Sequence, residues 1–138
     1  MNREIKFRAW NTGKRMKHGM HDWETLIDSL LGEINPKKSL FAGFFLSEQF
    51  KENPWITLMQ YTGFQDCQSK GIYDGDILLS IDADYPYKAT VCWDVGQGAW
   101  YLRPVDEEMW IEDWNIGDDC YRFSVIGNIY ENPELLNK

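Results

Sequence analysis

The chain has 138 residues, of which 43% are hydrophobic and 15% aromatic, and its formal net charge is −8. That length suits one domain or two small lobes, and no apolar run approaches the ~18–20 residues of a membrane span. The balance is uneven, because residues 1–18 hold Arg3, Lys6, Arg8, Lys14, Arg15 and Lys17 against Glu4 alone. Basic residues confined to one end do not make the broad positive face that nucleic acid requires.

The N-terminus lacks the apolar core of a signal peptide, so a cytoplasmic protein is expected. Cys67, Cys92 and Cys120 form no CxxC, and an odd count outside the secretory route reads as reduced thiols. Seven each of Trp, Tyr and Phe favour β structure, where broad side chains fit a pleated surface.

Ile5, Phe7 and Ala9 alternate with Lys6, Arg8 and Trp10, the period of a half-buried strand. The turn Asn11-Thr12-Gly13-Lys14 allows a short return strand over 15–20. Trp23, Leu26, Ile27, Leu30 and Leu31 then recur with helical spacing, with Asp22 as N-cap and Gly32 past the end. This predicts a short amphipathic helix. Leu40–Phe45 is apolar throughout and fits strand or helix, with Phe44-Phe45 favouring strand, and Trp55–Tyr61 reads as a strand.

The segment Leu58–Leu79 organises the chain, with Gly63, Gly71 and Gly75 at its turns. After it only strand signals follow. Asp76–Ile81 is one strand; Tyr87, Ala89, Val91 and Trp93 alternate along the next. Val95-Gly96-Gln97-Gly98 joins it to a return strand stopped at Pro104. An acidic excursion, 106–119, carries Trp110 and Trp114, and Tyr121–Ile126 is a further strand. Asn132-Pro133-Glu134 opens a terminal helix, and the strands of ~73–130 suggest a small barrel.

Candidate chemistry is sparse. Asp66, Asp74, Asp76, Asp82 and Asp84 could bind a divalent cation through oxygen, but their spacing fits turn-forming aspartates better than a calcium loop. His18 and His21 lack two further ligands for a structural zinc. No nucleophile elbow or phosphate loop occurs, so the expectation is a non-enzymatic protein without metal or cofactor. Tyr61, Tyr73, Trp100 and Trp110 are candidate aromatic contacts, and Lys6, Arg8, Arg15 and Lys17 candidate basic ones. The aromatic excess and split charge point to protein binding and a homo-oligomer, with nucleic-acid binding through the basic segment as the alternative.

Four stretches carry a family resemblance: Arg3-Glu4-Ile5-Lys6-Phe7-Arg8-Ala9-Trp10, Met59-Gln60-Tyr61-Thr62-Gly63, Ile72-Tyr73-Asp74-Gly75-Asp76-Ile77, and the run from Val125 to Leu135. In this order they resemble the YopX family, small proteins of bacteriophages and prophages with no assigned activity. The resemblance implies an α+β fold: an N-terminal α+β part, here 1–72, joined to a C-terminal SH3-like β-barrel, here 73–138. It also implies a phage or prophage accessory role with a phage or host protein as partner. The chain departs from the pattern at Cys67, where the family turn is more charged.

Overall fold

The structure, a computed structural model, describes residues 4, 6–12, 18–24, 56–81, 84–108 and 116–137. Eight strands lie within them: β1 (Phe7–Asn11), β2 (Gly19–His21), β3 (Ile56–Gln65), β4 (Gly71–Tyr73), β5 (Asp76–Ser80), β6 (Lys88–Asp94), β7 (Ala99–Pro104) and β8 (Phe123–Asn128). They form two four-stranded sheets, β2-β1-β3-β4 and β7-β6-β5-β8. The chain divides into two compact units, 6–59 and a larger one made of 1–5 with 60–138, and β3 belongs to both.

In the smaller unit β1 and β2 run antiparallel, with Ala9 opposite His21 and Trp10 opposite Met20. Ala9 is fully buried, as the strand alternation of Phe7 and Ala9 with Arg8 and Trp10 predicts. Phe7 packs its ring 5.8 Å from Trp23, and Trp10 meets His18 edge-on at 5.4 Å.

The larger unit owes its core to β5, β6 and β7. Ala89 and Val91 on β6 face Pro104 and Leu102 on β7, while Lys88 and Thr90 turn to the other side. Ile72, Leu78, Ala89, Val91, Trp100, Leu102, Ile116 and Phe123 form one buried cluster. The β6–β7 connection is 95–98, closed by the Asp94 side chain accepting from Gly96 N–H at 2.9 Å and by Gly98 N–H bonding to Asp94 O at 2.8 Å.

The α+β class is corrected. The described architecture is strands in two antiparallel sheets, and no complete helix among the described residues exceeds the six residues of the 3-10 helix Gly117–Arg122. Trp23 and Glu24 are helical, but 25–31 of the expected helix, and the expected strand 40–45, lie outside the described residues. The aromatic and β-branched runs among the described residues are drawn into sheets.

The expected SH3-like barrel is likewise, in the described residues, a sheet with β7 and β8 at its edges. The expected short terminal helix is present as the 3-10 helix Pro133–Leu136, with Pro133 at its start and Glu134 in its first turn. Asn132 stands at its N-cap without capping it, and its Oδ1 accepts from Asn128 N–H at 3.3 Å instead. That turn is tied to the sheet by Lys88, whose Nζ donates to the carbonyls of Leu135 and Asn137 at 2.6 and 2.8 Å.

Candidate functional site

The aspartates of Leu58–Leu79 serve the backbone. Asp66 is buried; its Oδ1 accepts from Gln68 and Lys70 N–H and its Oδ2 from Val125 N–H, each at 2.9 Å. Burial alone would push its carboxyl up, but those donors, with the charge of Lys70, outweigh it and hold Asp66 below the ordinary carboxylate value. Cys67 N–H adds a bond to Phe123 O at 2.9 Å, so one turn is fastened to the start of β8. Asp76 is fully buried and accepts from Tyr73 N–H at 2.8 Å. Between β4 and β5, Gly75 takes φ +82°, where a side chain would be strained, and its N–H bonds to Val91 O. Among the described residues no three His, Cys, Asp or Glu side chains converge as metal ligands.

Asp74 differs. Burial raises its carboxyl above the ordinary value against a bond from Gly75 N–H, and its charge helps burial to raise the Tyr130 phenol. A raised acid binds its proton more tightly when folded, so ionised Asp74 opposes folding above its folded pKa. Asp74→Asn is therefore expected to raise the melting temperature at neutral pH. The gain should vanish as pH falls below the ordinary carboxylate pKa of about 4. Melting curves across that range check this, and an equal gain at both ends would contradict it.

The predicted contact residues fall in several places. Lys6 and Arg8 are half-buried, before and on β1, whereas Arg15, Lys17 and Trp110 lie outside the described residues. Tyr61 is buried and Tyr73 half-buried, and their rings meet at 5.4 Å across β3 and β4. Gly71 makes room for that pair, since a Cβ there would stand 3.1 Å from Tyr61 Cε2. Trp100 is buried edge-to-face with Trp93 at 4.9 Å, its Nε1 without a hydrogen-bond partner.

The exposed aromatic surface lies elsewhere. Where β5 ends and β6 and β8 begin, Ile81 is 52% exposed, Tyr85 81% and Tyr121 57%. Ile81 N–H bonds to Arg122 O at 2.9 Å, and Ser80, opposite Phe123 in register, exchanges bonds with Tyr87. Tyr87 and Phe123 meet edge-on at 6.0 Å, and Phe123 is buried in the core. Hydrogen bonds thus hold the backbone at Ser80, Ile81, Tyr87 and Arg122, while the side chains of Tyr85 and Tyr121 stay in solvent. The Arg122 guanidinium stands 5.7 Å from the Tyr121 ring centroid. Sequence reasoning missed these residues. The available signal was their setting: Tyr85 sits in Asp84-Tyr85-Pro86, where turn residues break the strand alternation that buries a ring.

The YopX family model, described as YopX protein, matches residues 6–137. The chain belongs to the YopX family. The motif resemblance is thereby confirmed over nearly its whole length. Among solved structures, this YopX-family chain is similar to protein EF1440 from Enterococcus faecalis, with TM-score 0.52 and 20% identity over 98% of this chain and 99% of that one. At that identity the likeness concerns fold alone. No curated protein matches. The cysteines of this YopX-family chain are free, Cys67 exposed and the other two half-buried. Among the described residues no helix is long and apolar enough to cross a membrane.

Proposed function

We propose that this YopX-family protein is a phage or prophage accessory protein that acts in the host cytoplasm by binding protein, its own copies included, without catalysing a reaction. The observation that supports this reading is the exposure of Ile81, Tyr85 and Tyr121 around the end of β5, where Ser80 pairs with Phe123 at the start of β8. Large rings left in solvent beside paired strands are the material of interface anchors, because a tyrosine buries much area while losing few rotamers. The use of Asp66 and Asp76 as backbone acceptors agrees with a structural role for the acids of the organising stretch.

The test is capture from bacteria carrying the phage or prophage, with the full chain and its Tyr85→Ser/Tyr121→Ser variant as paired baits. Both side chains are exposed, so the variant should keep its fold and unfold at the same urea concentration. A protein, or an untagged copy of this chain, held by the parent and lost by the variant is the expected result. Equal capture by both baits would contradict the assignment to this surface.

A further inference from the structure

We propose that residues 133–137 are a strap over the outer face of the β7-β6-β5-β8 sheet, locked by Lys88, which opens while the sheet stays folded. It is independent of the Ile81–Tyr85–Tyr121 surface and of the reading given to it. The starting point is Ile77. That residue is fully buried, yet it is next to Leu78 on β5 and so faces away from the core cluster, of which it is not a member. Its neighbours in register are Thr90 on β6 and Gly127 on β8. A Cβ on Gly127 would stand 2.8 Å from Asn132 Cγ and 2.9 Å from Leu135 Cδ1. Asn132 and Leu135 therefore lie over the outer face of this row, and the C-terminal segment covers it.

The two ends of that segment are held differently. Up to Asn132 the backbone is tied to the turns beside it. Ile129 N–H donates to Gly75 O at 2.9 Å and Asn132 N–H to Asn128 O at 3.0 Å, while Asn128 Oδ1 accepts from Tyr130 and Glu131 N–H. Beyond Asn132, the 3-10 helix Pro133–Leu136 has no buried residue and no side-chain cap bond. Leu135 N–H to Asn132 O and Asn137 N–H to Glu134 O are bonds within the segment itself.

Its tie to the sheet is Lys88, on the same face as Thr90 and two residues before it, whose Nζ donates to Leu135 O and Asn137 O. Both bonds come from one ammonium group, so they form and break together. A short 3-10 segment with such a tie opens at less cost than the paired strands beneath it. Opening uncovers Ile77 and leaves the core cluster closed.

Amide hydrogen exchange of the full chain, read residue by residue by NMR at several urea concentrations below unfolding, tests the proposal. In the parent, Leu135 N–H should exchange more slowly than an unstructured amide. It should still exchange faster than Gly75 N–H, bonded to Val91 O, and Ser80 N–H, bonded to Tyr87 O. Leu135 exchange should be almost indifferent to urea, since opening a strap exposes little surface, whereas exchange at Gly75 and Ser80 should rise with it. Lys88→Met keeps the aliphatic stem and removes the donor. It should speed exchange at Leu135 about tenfold, the effect of losing hydrogen bonds to a charged group. Gly127→Ala pushes on Leu135 from below and should speed the same amide.

Exchange at Leu135 that matches Gly75 and Ser80 in rate and in urea dependence would make the segment part of the sheet's own unfolding, and overturns the proposal. An unprotected Leu135 in the parent overturns it too, because the strap is then not closed. If Lys88→Met leaves Leu135 at the parent's rate, or does not fold, Lys88 is not a lock. If Gly127→Ala folds and leaves Leu135 unmoved, the segment does not cover the row of Ile77.

Discussion

Asp66→Ala is expected to lower unfolding free energy by about 2–4 kcal/mol, because it removes the acceptor of three backbone N–H groups, one of which lies in a different strand. Two of those donors, Gln68 and Lys70, belong to the turn itself, and water can partly replace the carboxylate there. The third, Val125 N–H, is 59 residues away on β8, and its loss leaves the turn fastened to that strand by the bond from Cys67 N–H to Phe123 O. Urea denaturation at neutral pH measures the effect. Asp66→Asn is a sharper probe, since it keeps one acceptor oxygen but turns an amide NH₂ toward the remaining donors.

The pH dependence follows from the lowered Asp66 carboxyl. A depressed folded pKa means that the ionised form favours folding, so its contribution is complete above the unfolded value of about 4. It is lost as pH falls through the folded pKa. The parent chain should lose more stability on acidification than Asp66→Ala does. Parallel curves for the two would show that the three N–H bonds contribute nothing measurable.

Leu78→Ala is expected to cost about 2–5 kcal/mol, the range for emptying a buried leucine site. Leu78 is fully buried on β5, an interior strand of its sheet, opposite Ala89 on β6 and Val125 on β8. Both neighbouring strands are fixed by hydrogen bonds, which limits how far the site can collapse around the space left. Val95→Ala, in an 87% exposed position, is the control and should stay within about 0.5 kcal/mol of the parent. If the two substitutions cost the same, the core has been misplaced.

The sheet of the larger unit was legible because its signals are local. Ala89 and Val91 alternate with Lys88 and Thr90, and the glycine-containing connection 95–98 returns the chain where periodicity places it. The family was legible from four ordered motifs. Fold class was not, because strand signals along a chain do not say which strands pair, and the pairing into two antiparallel sheets is what sets the class. The short terminal helix was legible from Asn132-Pro133-Glu134, but its cap was not: the Asn132 side chain accepts from Asn128 N–H instead, which no sequence rule anticipates. The Asp66–Val125 bond was invisible because it depends on two strands arriving together. Exposed Tyr85 and Tyr121 were missed since a tyrosine's burial is a property of the surface around it, and Tyr61, read as a contact, is packed over Gly71.

The claim that the exposed end of β5 and β8 is a protein-binding surface that includes self-association is tested most directly by sedimentation velocity of the full chain over a range of concentrations and salt. The account predicts a species heavier than the 16.3 kDa monomer as concentration rises, reverting to monomer in Tyr85→Ser/Tyr121→Ser. A parent chain that stays monomeric at every concentration, together with no partner captured by it, would contradict the account.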